Sequence, residues 1–283
     1  MAVTADVDIA NLALQRLGQP VITALTDSGR DAEICNQLFA QNRNYCLMLA
    51  DWQCVTDRKV LTRAGKKNVT GATQANPVVI TTSETHTINA NELITIEDVG
   101  GMTELNQNTF RAYSVTSVTI TLYDTSGDSL DGTAYSAYSS TGTLYVAAGA
   151  HWARVYDEPS DCLRPLQVLD NEFGEIDDYL NTGSHRLDGR MWVRERGRIY
   201  TDFDDAGLKY LRLDTTASNY DELLVEVMAS RLAWLIGMRI HADKQLRAEI
   251  RGEMNAAIAR AKLLDASGRY AANPQEELWV NMG

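Results

Sequence analysis

The residues of this chain best equipped for chemistry are its carboxylates. "TDFDDAG" brings Asp202, Asp204 and Asp205 within four positions, and "DNEFGEIDD" sets five acidic residues between Asp170 and Asp178. Two carboxylates at a suitable separation are enough to hydrolyse a glycoside, one as acid and the other as base or nucleophile. The same oxygens could hold a divalent ion, but "DFDD" lacks the alternating ligand spacing of a calcium loop. Acidic residues in such stretches serve more often as solvated turn formers, so no catalytic residue is expected among them.

Thiol and imidazole chemistry is no better supported. Cys35, Cys46, Cys54 and Cys162 form no CxxC pair, and His86, His151, His185 and His241 are scattered. No metal site and no cofactor are expected from that spacing; buried, reduced thiols are the simpler reading. No nucleophile elbow, phosphate loop, HExxH or GxGxxG motif occurs. Trp52 is a candidate for ligand stacking, yet a large aromatic just past a helix is expected to be a core wedge. The triplet Asn68-Val69-Thr70 matches a glycosylation acceptor. Asp6 and Asp8 stand where a secretory signal would carry Lys or Arg, so secretion is not expected. The longest apolar run, Leu232 to Met238, is far too short to span a bilayer.

Charge narrows the field of partners. The 283-residue chain carries a net charge of −12, against the basic surface that phosphate binding requires. The imbalance is uneven: from Asn68 to Gly149 one Arg faces eight Asp or Glu, giving −7, while 25 basic and 30 acidic residues elsewhere give −5. An acidic protein is still suited to letting DNA pass without sticking.

These residues must be carried by recognisable elements. In "DVDIANLALQRLGQP", Ile9, Leu12, Ala13 and Leu17 recur at helical spacing; Gly18 suits a left-handed stop and Pro20 prevents continuation. A second helix is expected from about Ser28, with Asp31 as a weak capping partner and a stripe of Cys35, Leu38, Phe39, Cys46 and Leu49. From Asn68 the pattern turns to short runs rich in Val, Ile, Thr and Tyr: "PVVITT", "LITIEDV", "TFRAYSV", "VTITLYD" and "GTLYVAA". Asn, Gly, Asp and Ser clusters separate them, as in a small sandwich or barrel. Pro77 fits a strand start. Gly100-Gly101 and Gly127-Asp128 are turn chemistry.

Beyond Trp152 the chain changes again. "MWVRERGRIYTDFDDAGLKYLRL" reads as a three-stranded meander, pivoting at Gly197 and again between Asp204 and Gly207. A helix capped near Ser218 or Asn219 should carry Leu224, Val227, Met228, Leu235 and Met238 along one face. A last helix, from about Ala242 to Ser267, should bury Leu246, Ile250, Met254, Ala257, Ala261 and Leu264.

The fold class expected is α+β: a helical bundle with a small antiparallel β-meander, interrupted by an inserted all-β barrel or sandwich module. Residues 1–67 and 150–267 form the two parts of one host domain, 68–149 the inserted module, and 268–283 an extended C-terminal tail. Lys66-Lys67 and Gly149-Ala150 are the expected hinges and should lie close together.

Four blocks in one order, "NLALQRLGQPVITAL", "CNQLFAQNRNYCLMLADWQCVTDRKVL", "VYDEPSDCLRPLQV" and "GRIYTDF…LKYLRL…YDELLVEVMASRLAWLI", resemble the head-to-tail adaptors of short-tailed bacteriophages, the tail tubular protein A family. The resemblance covers about 200 residues, nearly everything outside the β passage. "VTGATQANPVVITTSETH" and "VGGMTELNQNTF" are similar to a small β-barrel module named after the first catalytic-cysteine half-domain of ubiquitin-activating enzymes, which recurs in phage structural proteins. This stretch has no cysteine, so the name carries no activity. Gln107 stands where Gly is expected in the turn, and Asn106 or Asn108 is able to take the left-handed conformation instead.

The adaptor resemblance implies a virion protein made in the host cytoplasm and placed at the head-tail junction. It would form a homo-oligomeric ring of twelve copies between portal protein and tail nozzle protein. Genomic DNA would pass through without specific binding, and no membrane is involved. Beyond the resemblance, the free protein is expected to be monomeric, and a separate β-unit at residues 68–149 could face outward and support a tail fibre or spike protein or a neighbouring ring. Leu278, Trp279, Val280 and Met282 are the candidate portal-docking residues of the tail. An alternative is a carbohydrate- or receptor-binding virion protein acting through the β-module, with Tyr113, Tyr123, Tyr135, Tyr138 and Tyr145 as aromatic surface. A third reading is a wall-degrading enzyme built on the acidic loops.

Overall fold

A computed structural model describes residues 3–149, 151–170, 191–240 and 244–269. The chain is α+β. Its described residues hold four α-helices and antiparallel sheets that include a closed six-stranded barrel. It divides into two compact units: Met1–Asp57, Asp161–Leu166 and Tyr210–Gly283 in one, Arg58–Ser160 and Gln167–Lys209 in the other.

The first unit is built on helices. Helix α1 (Asp6–Arg16) starts where the Asp8 carboxylate turns back to accept from the Thr4 and Ala5 N–H groups, at 2.9 and 3.0 Å. It ends at Gly18, which takes a left-handed φ of 65°. A glycine adopts that conformation at no steric cost. Helix α2 (Arg30–Leu47) has Gly29 at its cap position and no side-chain cap, so the expected Ser28–Asp31 pairing is not made. Asp31 instead lies in the first turn, where its charge favours the helix dipole. Cys35, Leu38, Phe39 and Cys46 are buried as expected, and Leu49 is half-buried.

Helix α3 (Glu222–Ile240) is capped by Asp221, whose Oδ1 accepts from the Leu224 N–H at 2.7 Å. Ser218 and Asn219, the expected caps, belong to a preceding 3₁₀ turn pinned by Asp214. That carboxylate accepts from the Thr216 N–H and the Asn219 amide, each at 2.8 Å. A single buried face was expected of α3, but α1, α2 and α4 (Lys244–Arg269) all pack on it, so it is buried nearly all round. Leu224, Val227 and Met228 are buried, whereas Met238 is 54% exposed. Helix α4 buries Ile250, Ala257 and Ala261 and half-buries Leu246 and Met254. The side chain of Leu264 lies outside the described residues.

Strands of the second unit form the barrel: β2 (Lys67–Ala72), β3 (Val79–Thr82), β4 (Leu93–Glu97), β5 (Asn108–Val115), β6 (Thr119–Tyr123) and β7 (Thr143–Val146). They close in the order β2-β3-β6-β5-β4-β7, every pair antiparallel. Ile80, Ile94, Ile96, Ala112, Ile120, Leu122 and Leu144 are buried at alternate positions, the period that marks these strands in the sequence. β2 was not among the expected runs. A register shift between Val69 and Gly71 breaks its alternation, and it closes the barrel against β7. In the turn before β5 the left-handed residue is Gln107 itself, at φ 60°, and neither neighbouring asparagine. Asn106 is held extended while its amide bonds both the N–H and the carbonyl of Val99, at 2.7 and 3.0 Å.

The expected meander is corrected. β10 (Trp192–Glu195) and β11 (Arg198–Thr201) do form a hairpin about Gly197, but the third strand of that sheet is β8 (Arg154–Asp157), in the order β10-β11-β8. The run expected to complete it, β12 (Ala206–Arg212), lies between β1 (Thr56–Val60) and β9 (Cys162–Asp170). Its Ala206, Leu208, Tyr210 and Leu211 are buried, a pattern covering both faces that suits a central strand. β9 is an edge strand, which accommodates Pro165.

Candidate functional site

Among the described residues singled out for catalysis, two have defined partners. Asp202 Oδ1 accepts from the Ala153 N–H at 2.9 Å, and Asp204 Oδ1 lies 2.6 Å from Arg154 Nη2. They are a turn acceptor and an ion-pair partner. Residues 171–178 and the side chain of Asp170 lie outside the described residues. Burial pushes the thiols away from reactivity: Cys35 is raised to about 11, and Cys46 and Cys54 to about 12. Trp52 is a core wedge, buried among helix side chains, with Nε1 donating to the Cys46 carbonyl at 2.9 Å. Among the described residues no cluster of His, Cys, Asp and Glu could hold a metal ion, and no helix is long and apolar enough to cross a membrane.

The surface that sequence reasoning missed is the outward side of α4. This helix runs for 26 residues. At the rise of an α-helix that makes a rod of about 39 Å. It meets its own unit through a stripe of buried Ile250, Ala257 and Ala261, flanked by half-buried Leu246, Met254 and Ile258. At about 100° per residue, Ala248, Gly252, Ala259 and Leu263 then point away from that stripe. All four are exposed, Leu263 at 71%. To one side stand Arg247, Arg251 and Lys262; to the other stand Glu249 and Glu253, followed by Arg260. The helix therefore presents a small-residue ridge ending in an exposed leucine, between a basic and a mainly acidic flank.

Gly252 is the informative residue. A glycine within a helix costs about 1 kcal/mol relative to alanine. A Cβ built there would meet nothing within 4 Å, so no neighbour within the described chain demands the glycine. The run "RAEIRGEMNAAIARAKLL" displays it, but only with the buried stripe known can the outward side be told from the inward one. The expected docking residues Leu278, Trp279, Val280 and Met282 lie outside the described residues.

No protein-family model matches this chain, and no curated protein matches it.

Proposed function

We propose that this protein is a structural head-to-tail connector of a tailed-phage virion, working as a ring of twelve copies through which DNA passes. The observation that carries this reading is the outward ridge of α4. Small residues let a neighbouring backbone come close, and Leu263 supplies an exposed apolar contact. Flanks of opposite sign suit a head-to-tail interface, in which the basic side of one copy meets the acidic side of the next. Obligate interfaces bury on the order of 2,000–5,000 Å², a scale that a rod of this length can serve.

The rest of the architecture is read in the same light. The helices form the bundle of a host domain, into which residues 68–149 are inserted. Pairing of β2 with β7, Lys67 opposite Leu144, brings the first and last barrel strands side by side, as an inserted module requires. Leu278, Trp279, Val280 and Met282 dock on the portal protein; the other end of the ring meets the tail nozzle. Acidic balance serves a channel from which the DNA backbone is repelled.

Electron microscopy of the full chain mixed with the portal of the same particle tests the reading. Rings seated on the portal are the expected image, and deletion of residues 273–283 should leave the subunit folded while weakening attachment. Bare portals beside a folded, monodisperse full chain would sink the connector assignment.

A further inference from the structure

The second unit carries a groove in two adjoining lobes beside the barrel strands β4 and β7. The larger lobe, of about 580 Å³, is lined by Asn89, Glu92, Arg196, Arg198 and Tyr200. The smaller, of about 310 Å³, is lined by Arg63, Glu97, Trp152 and Arg154. Leu93 and residues 147–149 border both. Strand alternation sets Arg198 and Tyr200 on one face of β11, while Ile199 is buried on the other.

Several polar groups of this groove are already held in place. Arg198 Nη1 and Nη2 donate to the two carboxylate oxygens of Glu92 at 2.7 and 3.4 Å, and the Asn89 N–H donates to Glu92 Oε2 at 2.9 Å. Arg63 lies 3.9 Å from Glu97, its guanidinium 3.6 Å from the Tyr145 ring centroid. Arg154 is paired with Asp204. Groups fixed beforehand lose little freedom on binding. We propose that this groove is a saccharide-binding site, taking an oligosaccharide across its two lobes.

Chemical complementarity selects that class. Planar carboxylate, amide and guanidinium groups offer paired donors and acceptors to the vicinal hydroxyls of a sugar ring. Tyr200 and Trp152 offer aromatic surface with a polar tip to its mixed faces. Volumes of this size are those of small-molecule sites. A polyanion needs free positive charge, and of the four lining arginines Arg63, Arg154 and Arg198 each already have a carboxylate partner. The closed barrel offers an extended peptide no free strand edge on that side of the groove.

This inference does not depend on ring formation, and its test separates the two. The full-length chain is applied to a microarray of neutral and acidic bacterial surface oligosaccharides. Binding to the strongest of them is then followed by saturation-transfer NMR. Arg196→Ala and Asn89→Ala should each lower the bound signal at least tenfold and still give rings on the portal. Tyr113→Ala, at an exposed aromatic outside the groove, should bind as the unaltered chain does. No glycan bound by the unaltered chain overturns the proposal. So does a signal lost with Tyr113→Ala but kept in both groove variants.

Discussion

Arg198 Nη1 lies 2.7 Å from Glu92 Oε1, joining a hairpin strand to the loop that leads into barrel strand β4. Both side chains are largely buried, 14% and 22% exposed, so water screens the pair little. Burial by itself would raise the Glu92 carboxyl, but hydrogen bonds from Arg198 and Asn89 more than offset it and hold the group below its ordinary value. A depressed carboxylate stabilises the fold above the unfolded pKa, near about 4.3, and that contribution is lost as pH falls through the lower folded value. Glu92→Gln should therefore cost about 1.5–3 kcal/mol at pH 7, the scale of a charge-assisted hydrogen bond. Urea unfolding at pH 7 and again in strong acid should show the gap between variant and parent closing; an equal gap at both would refute the pairing.

His86 runs the other way. It is 8% exposed. Burial, opposed by a hydrogen bond with the Thr119 backbone and reinforced by the charge of Lys67, lowers its pKa below the ordinary value of 6.5. Between those two values the unfolded chain binds a proton that the folded chain refuses. Stability contributed by this site thus falls as pH drops below about 6.5 and levels off below the folded value. His86→Phe should flatten that part of the barrel's pH–stability profile. The profile of the variant, subtracted from that of the parent, must slope downward toward acid in this window.

Gln107 sits at a φ of 60°. A residue with a Cβ is strained in that left-handed conformation. Its N–H donates to the Ile96 carbonyl at 2.7 Å, which fixes the turn in that shape. Gln107→Gly keeps this bond and removes the strain, at the cost of a more flexible unfolded chain. A net gain of up to about 1 kcal/mol is expected, read as a higher thermal midpoint for the barrel. A lower midpoint would show that the side chain contributes more than the strain removes.

Local pattern made much of the fold legible. Alternation in "LITIEDV" and "VTITLYD" marks barrel strands because one face of each is buried. Gly18 marks a helix stop because few other residues take its conformation. What could not be read was set by partners far along the chain. Whether the run containing Leu208 joins β11 or lies between β1 and β9 depends on pairing, which no local period encodes. α3 lost its expected single face because three helices cover it. The groove was hidden for the same reason: Glu92 and Arg198 are 106 positions apart and share no motif. Gly252 was visible as a residue, but its meaning depends on which side of α4 is buried.

That glycine gives a prediction in which stability and assembly move in opposite directions. Gly252 lies on an exposed side of α4, where an added Cβ meets nothing within 4 Å. Gly252→Leu replaces a poor helix former with a good one and should stabilise the free subunit by up to about 1 kcal/mol. If the ridge is where a neighbouring copy makes its close approach, the same leucine holds the two backbones apart. Rings on the portal should then be lost while the melting midpoint of the subunit rises. Gly252→Ala, adding one methyl, should raise the midpoint similarly and impair assembly less. A simple structural defect would lower both quantities together. Normal rings from the Leu variant would remove α4 from the subunit interface.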